Sequence, residues 1–331
     1  MNLQNRIKLI ELLGNYLNEN NKEWESVKAE AAAHNPWFTS TFIDKATQAI
    51  RDNFLSINKL ENWISHYHLD DLISPKNIGI VMAGNIPMVG FHDFLAVFIS
   101  GHHQTIKFST KDNLLLKHLI HKLYEFDPQS KNSITIAETL KGCDAYIATG
   151  NNQSALYFHQ YFGKYPNIIR KNRTSAAILN GNETEEELRL LSDDIHFYFG
   201  LGCRNVTKIY VPSPYDFVPL LKAFEAYHYF RDHHKYSNNY DYQLSILLLN
   251  NIYYMTNENT LLVENKGLFS PISVLHYEYY MDKNQLKNEL SKTDEIQCVV
   301  GHDFVPFGKA QEPDLFSYAD GIDTMQFLLT L

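Results

Sequence analysis

Asn77 to Ile99 reads NIGIVMAGNIPMVGFHDFLAVFI, and its two halves have different periods. Asn77 to Ala83 is a continuous apolar run, the pattern of a parallel strand buried on both faces. Gly84-Asn85-Ile86-Pro87 punctuates it as a loop. Val89 to Ile99 then follows as an apolar helix. A buried strand, a short loop and a helix open a βαβ unit, so this stretch points to an α/β fold.

Outward from it the alternation continues. Thr105 to Phe108 reads as a strand and Asp112 to Tyr124 as a helix. Ile134 to Ile136 and Ala145 to Ala148 are strand-like, and a turn at Thr149-Gly150-Asn151-Asn152 opens a helix over Ala155 to Phe162. Ser175 to Leu179 is a further strand, and Asn182 with Glu185 has the spacing of a capping-box variant before a helix to Phe197. Upstream, residues 1 to about 70 carry apolar spacing near 3.6, with Ile7, Ile10, Leu13, Tyr16 and Leu17 in one stripe and Phe42, Ala46, Ile50 and Phe54 in another. Pro36 breaks the chain between the two stripes. The pattern predicts N-terminal helices followed by a doubly wound, mostly parallel sheet. Ligands on such sheets bind beyond the carboxyl ends of the strands. The loops Gly84-Asn85, Lys107–Ser109 and Thr149–Asn152 should therefore share one face.

A second doubly wound α/β unit begins near Cys203. It has a strand over Val206 to Val211, helices over Tyr215 to Phe230 and around Tyr242 to Tyr254, and strands at Thr260–Val263, Ile272–Tyr277 and Ile296–Val300. The polar stretch Asp232 to Asp241 reads as a mobile loop. Tyr318 to Leu331 is mixed and apolar, and is expected to return to the first domain or to an oligomer interface. The expected domains are thus residues 1–199, 200–317 and a C-terminal segment, 318–331.

The chain has 331 residues, 44% of them hydrophobic, enough for a large core in about two domains. Its net charge is −9 and no basic block stands out, which argues against nucleic acid and anionic membrane as partners. No apolar run approaches the roughly 20 residues of a membrane helix. The N-terminus lacks the continuous apolar core of a signal peptide. Cys143, Cys203 and Cys298 are an odd, widely spaced set, as expected of a reducing cytoplasm.

The stretch Tyr198 to Pro212, YFGLGCRNVTKIYVP, carries the candidate chemistry. Gly200 and Gly202 give the backbone freedom next to Cys203 and let a substrate come close. A thiol on such a turn suits a nucleophile, although from spacing alone a buried structural cysteine is the commoner outcome. Asn85, after a buried strand, could donate an amide N–H to a developing oxyanion, or simply serve the turn. Lys107 could hold ribose hydroxyls or a phosphate, or be a solvated lysine. Thr149-Gly150 ahead of a helix could seat a pyrophosphate on open N–H groups, or be a plain strand-to-helix turn. The fingerprints GxGxxG, GxxxxGK[ST] and GxSxG are all absent. His118 and His121 lie one helical turn apart, but no third ligand is evident, HExxH is absent and no cysteine pair has CxxC spacing, so no metal is expected. A cysteine hydrolase would need a histidine beside Cys203, and no sequence neighbour supplies one.

Taken in order, strand–Gly-Asn85-Ile-Pro, strand–Lys107, strand–Thr149-Gly150, Gly-Leu-Gly-Cys203 and Leu268-Phe269-Ser270-Pro271 resemble the aldehyde dehydrogenase superfamily. Within it, the chain looks most like the acyl-CoA reductase family whose founding members make the long-chain aldehyde of bacterial bioluminescence. NPWFT at 35–39, VMAGNIPMVGFHDFL at 81–95, GLGCRNVTKIYVP at 200–212, VPFGKAQEP at 305–313 and YADGIDTMQFL at 318–328 point the same way. The resemblance covers nearly the whole chain. It implies an aldehyde-dehydrogenase-like fold and an NAD(P)H-dependent acyl-CoA reductase. Cys203 would take the acyl group as a thioester, and Asn85 with the Cys203 backbone N–H would form the oxyanion hole. Lys107 would contact the adenosine ribose, Thr149-Gly150 would lie near the pyrophosphate, and Phe269 would frame the nicotinamide of NADP(H) or NAD(H). The expected partner is an acyl-CoA or acyl-carrier-protein thioester, with a homo-oligomer also expected.

Two departures stand out. Many superfamily members carry a glutamate two positions before the phenylalanine to hold the nicotinamide ribose; here that position is Gly267, with Glu264 only nearby. Hydrolytic members use a glutamate base where this chain reads Asn172-Arg173-Thr174-Ser175. A water-activating base would destroy a thioester meant for acyl transfer, so its absence fits a reductase. The alternative is a non-redox scaffold or acyl-binding protein that keeps the fold, to which the lost glutamate at 267 also points.

Overall fold

The protein, seen here as a computed structural model, is described for residues 1–18, 21–69 and 74–331. The helical reading up to about residue 70 includes positions 19, 20 and 70, which lie outside the described residues. The chain divides into two compact units, Met1–Asn172 with Pro313–Leu331, and Arg173–Glu312.

The first unit opens with four helices, α1 Leu3–Asn18, α2 Lys22–His34, α3 Ser40–Asn53 and α4 Ile57–Ser65. Both stripes read from the 3.6-residue period are buried, Ile7 to Leu17 on α1 and Phe42 to Ile50 on α3. Burying such a face supplies most of a helix's stability. Asn35 ends α2 one residue before Pro36, and Thr39 starts α3 by accepting the Phe42 N–H.

The strands β1 Asn77–Val81, β2 His103–Lys107, β3 Ile134–Ile136, β4 Ala145–Thr149 and β5 Asn167–Arg170 alternate with α5 Phe91–Ser100, α6 Leu115–Phe126 and α7 Asn152–Phe162. All five strands are parallel, in the order β3-β2-β1-β4-β5. Strand order reverses between β1 and β4, and the crevice at such a switch point is where open α/β sheets take ligands. The edge strand β5 is short and escapes the sequence pattern, yet it matters for packing. Its Arg170 is buried and donates to Asp93 at 2.5 Å and to Thr324 at 3.0 Å. The C-terminal stretch from Pro313 belongs to this unit. The Trp63 indole donates to the Tyr318 hydroxyl, and the buried His102 ring bonds the Leu328 carbonyl.

The second unit holds β6 Thr174–Ile178, α8 Glu185–His196, β7 Val206–Val211, α9 Val218–Ala223, α10 His234–Leu249, β8 Met255–Thr256, β9 Leu261–Glu264, β10 Val274–Tyr279, α11 Lys283–Leu290 and β11 Ile296–Val300. Its sheet runs β11-β6-β7-β10-β9-β8, parallel except for β8. Leu188, Leu191 and Ile195 of α8 pack with Ala177, Ile209 and Val211 in one core cluster. Leu286 and Leu290 of α11 pack with Ala176, Ile178 and Tyr210 in another.

Several expectations change. The strand at Ser175–Leu179, read as part of the first domain, is β6 and pairs with β7 and β11 of the second sheet. The expected boundary at 199/200 therefore differs from the division after Asn172. Residues 313–317, expected in the cysteine domain, go with the first unit. The capping box lies two residues later than read: Thr184 and Glu187 exchange the reciprocal bonds, while the Asn182 N–H turns back to Asn180. Most of Asp232 to Asp241 is helical, because His233 caps α10 by accepting the Tyr236 N–H. The helix read over Tyr215 to Phe230 is a short α9 continued by a 3-10 helix, Phe224–Asp232.

Candidate active site

In the first unit, four of the sequence-derived residues stand at the carboxyl edge of the sheet. Lys107 ends β2 and is exposed; it pairs in register with Val81, the last residue of β1. Asn85, half-buried, follows four residues after Val81. Thr149 ends β4 and Gly150 follows at the switch point. A Cβ on Gly84 would lie 2.7 Å from the Ser109 Cβ, so the loops after β1 and β2 meet too closely for a side chain there. The far end of the Asn85 loop is tied by Asp112, whose carboxylate accepts the Met88 N–H at 2.6 Å. Burial pushes that carboxyl up to about 6. Gly150 sits against the first turn of α7, where a Cβ would lie 2.8 Å from the Ser154 Cβ, and Asn151 caps the helix through the Ser154 N–H. Lys107, Thr149 and Gly150 thus stand at the edge where open α/β sheets take ligands.

In the second unit, Cys203 lies in the loop between α8 and β7. It is half-buried, and none of the three cysteines is in a disulfide. The chain reaches it through a reversal in which Tyr198, Phe199 and Gly200 all take left-handed φ values, 55°, 56° and 74°. Left-handed backbone is costly for residues with a Cβ. Asn205, fully buried, holds the reversal. Its carboxamide NH2 faces the carbonyls of Asp194, Ile195 and Phe197 at 3.2, 3.3 and 2.8 Å, and its oxygen accepts the Gly202 N–H at 2.8 Å. On the other side the Ser175 hydroxyl donates to the Cys203 carbonyl at 3.1 Å and accepts the Cys298 N–H at 3.2 Å. Burial pushes the Cys298 thiol up.

Arg204, next in the chain, donates through Nε to the Ala310 carbonyl. Asp194 accepts the N–H groups of Gly308 and Ala310 at 2.7 and 2.9 Å, tying the 305–313 motif to α8. Burial raises the Asp194 carboxyl to about 7. His196 is the histidine nearest to Cys203 along the chain, but both ring nitrogens are engaged, with the Ser192 carbonyl and the Thr260 hydroxyl, each at 2.8 Å. Burial lowers its pKa to about 4, so the ring is neutral.

Phe269 lies in the loop from β9 to β10 and is 40% exposed. The preceding carbonyl, of Leu268, accepts the Thr207 hydroxyl at 2.7 Å. Thr207 in β7 and Ser175 in β6 thus bring the Phe269 loop and the Cys203 loop to the same, amino-terminal edge of the second sheet. Glu264 ends β9 and is exposed; Gly267 donates its N–H to Asn265 Oδ1. His118 bonds the Tyr16 hydroxyl and stacks on Trp24, a packing role. Among the described residues no group of three or more His, Cys, Asp or Glu could hold a metal, and no helix is long and apolar enough to cross a membrane.

Sequence reasoning missed Asn205, Ser175, Asp194, Thr207 and Lys208. Only Lys208 left a signal, a lysine in the middle of the apolar run Val206 to Val211.

The fold built from these two α/β units is shared with solved aldehyde dehydrogenases. Aldehyde dehydrogenase 21 from Physcomitrella patens, solved with the reaction product succinate, aligns over 92% of this chain and 74% of its own, with a TM-score of 0.69 at 12% identity. The gamma-glutamyl-gamma-aminobutyraldehyde dehydrogenase of Burkholderia cenocepacia aligns over 91% and 71%, with a TM-score of 0.63 at 13% identity. An indole-3-acetaldehyde dehydrogenase complexed with NAD+ aligns over 91% and 72%, with a TM-score of 0.64 at 10% identity. No family model and no curated protein sequence matches the chain. Identities this low carry the fold alone, and the fold is that of an aldehyde dehydrogenase.

Proposed function

We propose that the protein is an NAD(P)H-dependent acyl-CoA reductase acting through Cys203. The observation that carries this reading is the Cys203 loop. A half-buried cysteine outside any disulfide is presented by a strained reversal and held from both sides by Asn205 and Ser175. A loop held this firmly orients a nucleophile.

In the proposed reaction the Cys203 thiolate attacks the thioester carbonyl. Its sulfur forms a bond to the acyl carbon, and CoA leaves with the electron pair of the broken C–S bond. The Cys203 backbone N–H would donate to the oxyanion that develops, and the resemblance implies Asn85 as a second donor. No acid stands where hydrolytic relatives keep a base, and the neutral His196 spends both nitrogens elsewhere, so the acyl group is kept from water activated by these side chains. Lys107 and Thr149-Gly150 would hold the ribose and pyrophosphate of the cofactor, and Phe269 would border its ring. When bound, the nicotinamide supplies the hydride that brings the acyl group to the aldehyde level. Neighbours solved with NAD+ lend weight to a nicotinamide cofactor.

The test is mass spectrometry of the protein after incubation with acyl-CoAs of several lengths, without cofactor. An acyl adduct on Cys203, absent from Cys203→Ala, is expected, together with aldehyde formation when NADPH or NADH is added. Wild-type aldehyde formation by Cys203→Ala would refute the reading.

A further inference from the structure

The loop that carries Phe269 is fastened by its backbone to the sheet beneath it. Three of its carbonyls are each taken by a different side chain. Lys208 Nζ donates to the Asn265 carbonyl, His276 Nδ1 donates to the Gly267 carbonyl at 2.9 Å, and the Thr207 hydroxyl donates to the Leu268 carbonyl at 2.7 Å. Since the Gly267 carbonyl can only accept, the His276 proton sits on Nδ1.

The arrangement follows from strand register. Lys208 and His276 are cross-strand partners in β7 and β10, so their side chains leave the same face. Against β6, Ser175 pairs with Val206 and Ala176 with Lys208, which leaves Thr207 as an extra residue in β7. Such a bulge re-aims a side chain; here Thr207 and Lys208, though adjacent, both reach the 265–268 loop.

Lys208 is the most telling member. It is fully buried, and its other contacts are the Glu278 carboxylate at 2.7 Å and the Tyr210 ring, 5.1 Å away. An apolar side chain of that size is usually the cheaper core residue, because a buried ion pair seldom repays its desolvation. What the charge gives that a methionine could not is a bond to a loop carbonyl. The loop has no side chain at Gly267 to take part in its own placement.

We propose that Thr207, Lys208 and His276 are positioning residues for the nicotinamide cofactor, which by fixing the carbonyls of Asn265, Gly267 and Leu268 set where Phe269 stands. This rests on the cofactor role given to Phe269 above. It predicts that the clamp governs cofactor binding and leaves acyl transfer to Cys203 untouched.

The experiment compares wild type with Thr207→Val, Thr207→Ser and Lys208→Met in two cofactor-separated readouts. One is the NADPH dissociation constant from fluorescence; the other is CoA release and the Cys203 acyl adduct with NADPH left out. Loss of the Thr207 bond to the Leu268 carbonyl, together with its contact to the Thr174 hydroxyl, should raise the dissociation constant about tenfold in Thr207→Val. Acylation should stay within about twofold of wild type, since the bond removed goes to the Leu268 carbonyl, whereas the Cys203 loop is held by Asn205 and Ser175. Thr207→Ser, which restores the hydroxyl, should bind NADPH as wild type does. Should Lys208→Met fail to fold, the Thr207 pair still decides. Unchanged NADPH binding in Thr207→Val, equal loss of binding and acylation, or no rescue by serine overturns the proposal. A wild type that takes no acyl group, but whose NADPH affinity responds to Thr207→Val and recovers with serine, sinks the acyl-CoA reading and leaves the clamp standing.

Discussion

Asn205→Ala should destabilise the protein more than most single substitutions, and the structure gives the size of the effect. The side chain is fully buried. Its oxygen is the acceptor for the Gly202 N–H, and its two N–H bonds are shared among the carbonyls of Asp194, Ile195 and Phe197. Truncation strands one donor and leaves at least two acceptors short. A net hydrogen bond contributes about 1 kcal/mol, and a buried polar group left without a partner costs about 1–3 kcal/mol. Three such groups near the low end of that range come to about 4 kcal/mol. At about 2–4 °C per kcal/mol for domains of this size, the melting temperature should fall by roughly 8–16 °C. Asn205→Asp is the sharper control. It has the same shape and keeps an acceptor for Gly202, but it turns a carboxylate oxygen toward the carbonyls that the amide donated to. It should cost at least as much as alanine. Calorimetry gives the stability, and the rate of Cys203 alkylation by iodoacetamide, which should change in both variants, reports the loop. If Asn205→Ala costs less than about 1 kcal/mol, or if Asn205→Asp is as stable as wild type, then Asn205 does not hold the reversal and the reasoning fails.

Two further outcomes follow from groups away from the thiol. The Asp194 carboxyl is raised to about 7 in the folded protein, against the ordinary aspartate value of 3.8. The native state therefore binds more protons than the unfolded one across that window, and stability is lost as pH rises from about 4 to about 7, on the order of 4 kcal/mol in all. Denaturant melts of wild type and Asp194→Asn should show this slope weakened in the variant, with Asp112, raised to about 6, contributing the same sign over a narrower range. A stability that climbs through this window by a similar margin would contradict the assignment. The capping box gives a simpler check: Thr184→Ala should cost about 1 kcal/mol in chemical denaturation, while Asn182→Ala should be close to neutral.

The local patterns in the sequence carry much of the fold, because they depend on neighbours a few residues away. Val206 to Val211 is a strand at the residues where its β-branched run lies, and Asn77 to Val81 opens the first sheet as its apolar run implies. What escapes is whatever depends on distant partners. Thr174–Ile178 has the same apolar character as any buried parallel strand, and only pairing with β7 and β11 assigns it to the second sheet. Asn182-Glu185 and Thr184-Glu187 both have cap-like chemistry, and backbone placement decides between them. His233 is not a strong cap by residue type, so the helix that absorbs the polar Asp232–Asp241 stretch starts without an obvious signal. At the candidate site the glycines and the cysteine are visible in the chain, but Asn205, Ser175 and Thr207 act through backbone carbonyls. A polar residue that bonds a remote carbonyl leaves no periodic trace.

The left-handed backbone at Tyr198 and Phe199 argues most directly that this loop serves chemistry. Each such residue costs on the order of 1–3 kcal/mol, and both side chains are buried aromatics, the type least suited to that region. A glycine at either position would relieve the strain, at the loss of a ring from a packed cluster. Phe199 lies 4.4 Å from the Phe230 ring centre and 4.5 Å from that of His233. The rings fix the reversal from one side and Asn205 fixes it from the other, so Gly200 to Cys203 has little freedom to relax. A loop needed only to join α8 to β7 could do so through an ordinary turn with Gly or Asn in the left-handed positions. The rigid alternative makes physical sense where a reacting atom must be held within a few tenths of an ångström of its place, and in the proposed function that atom is the sulfur of Cys203.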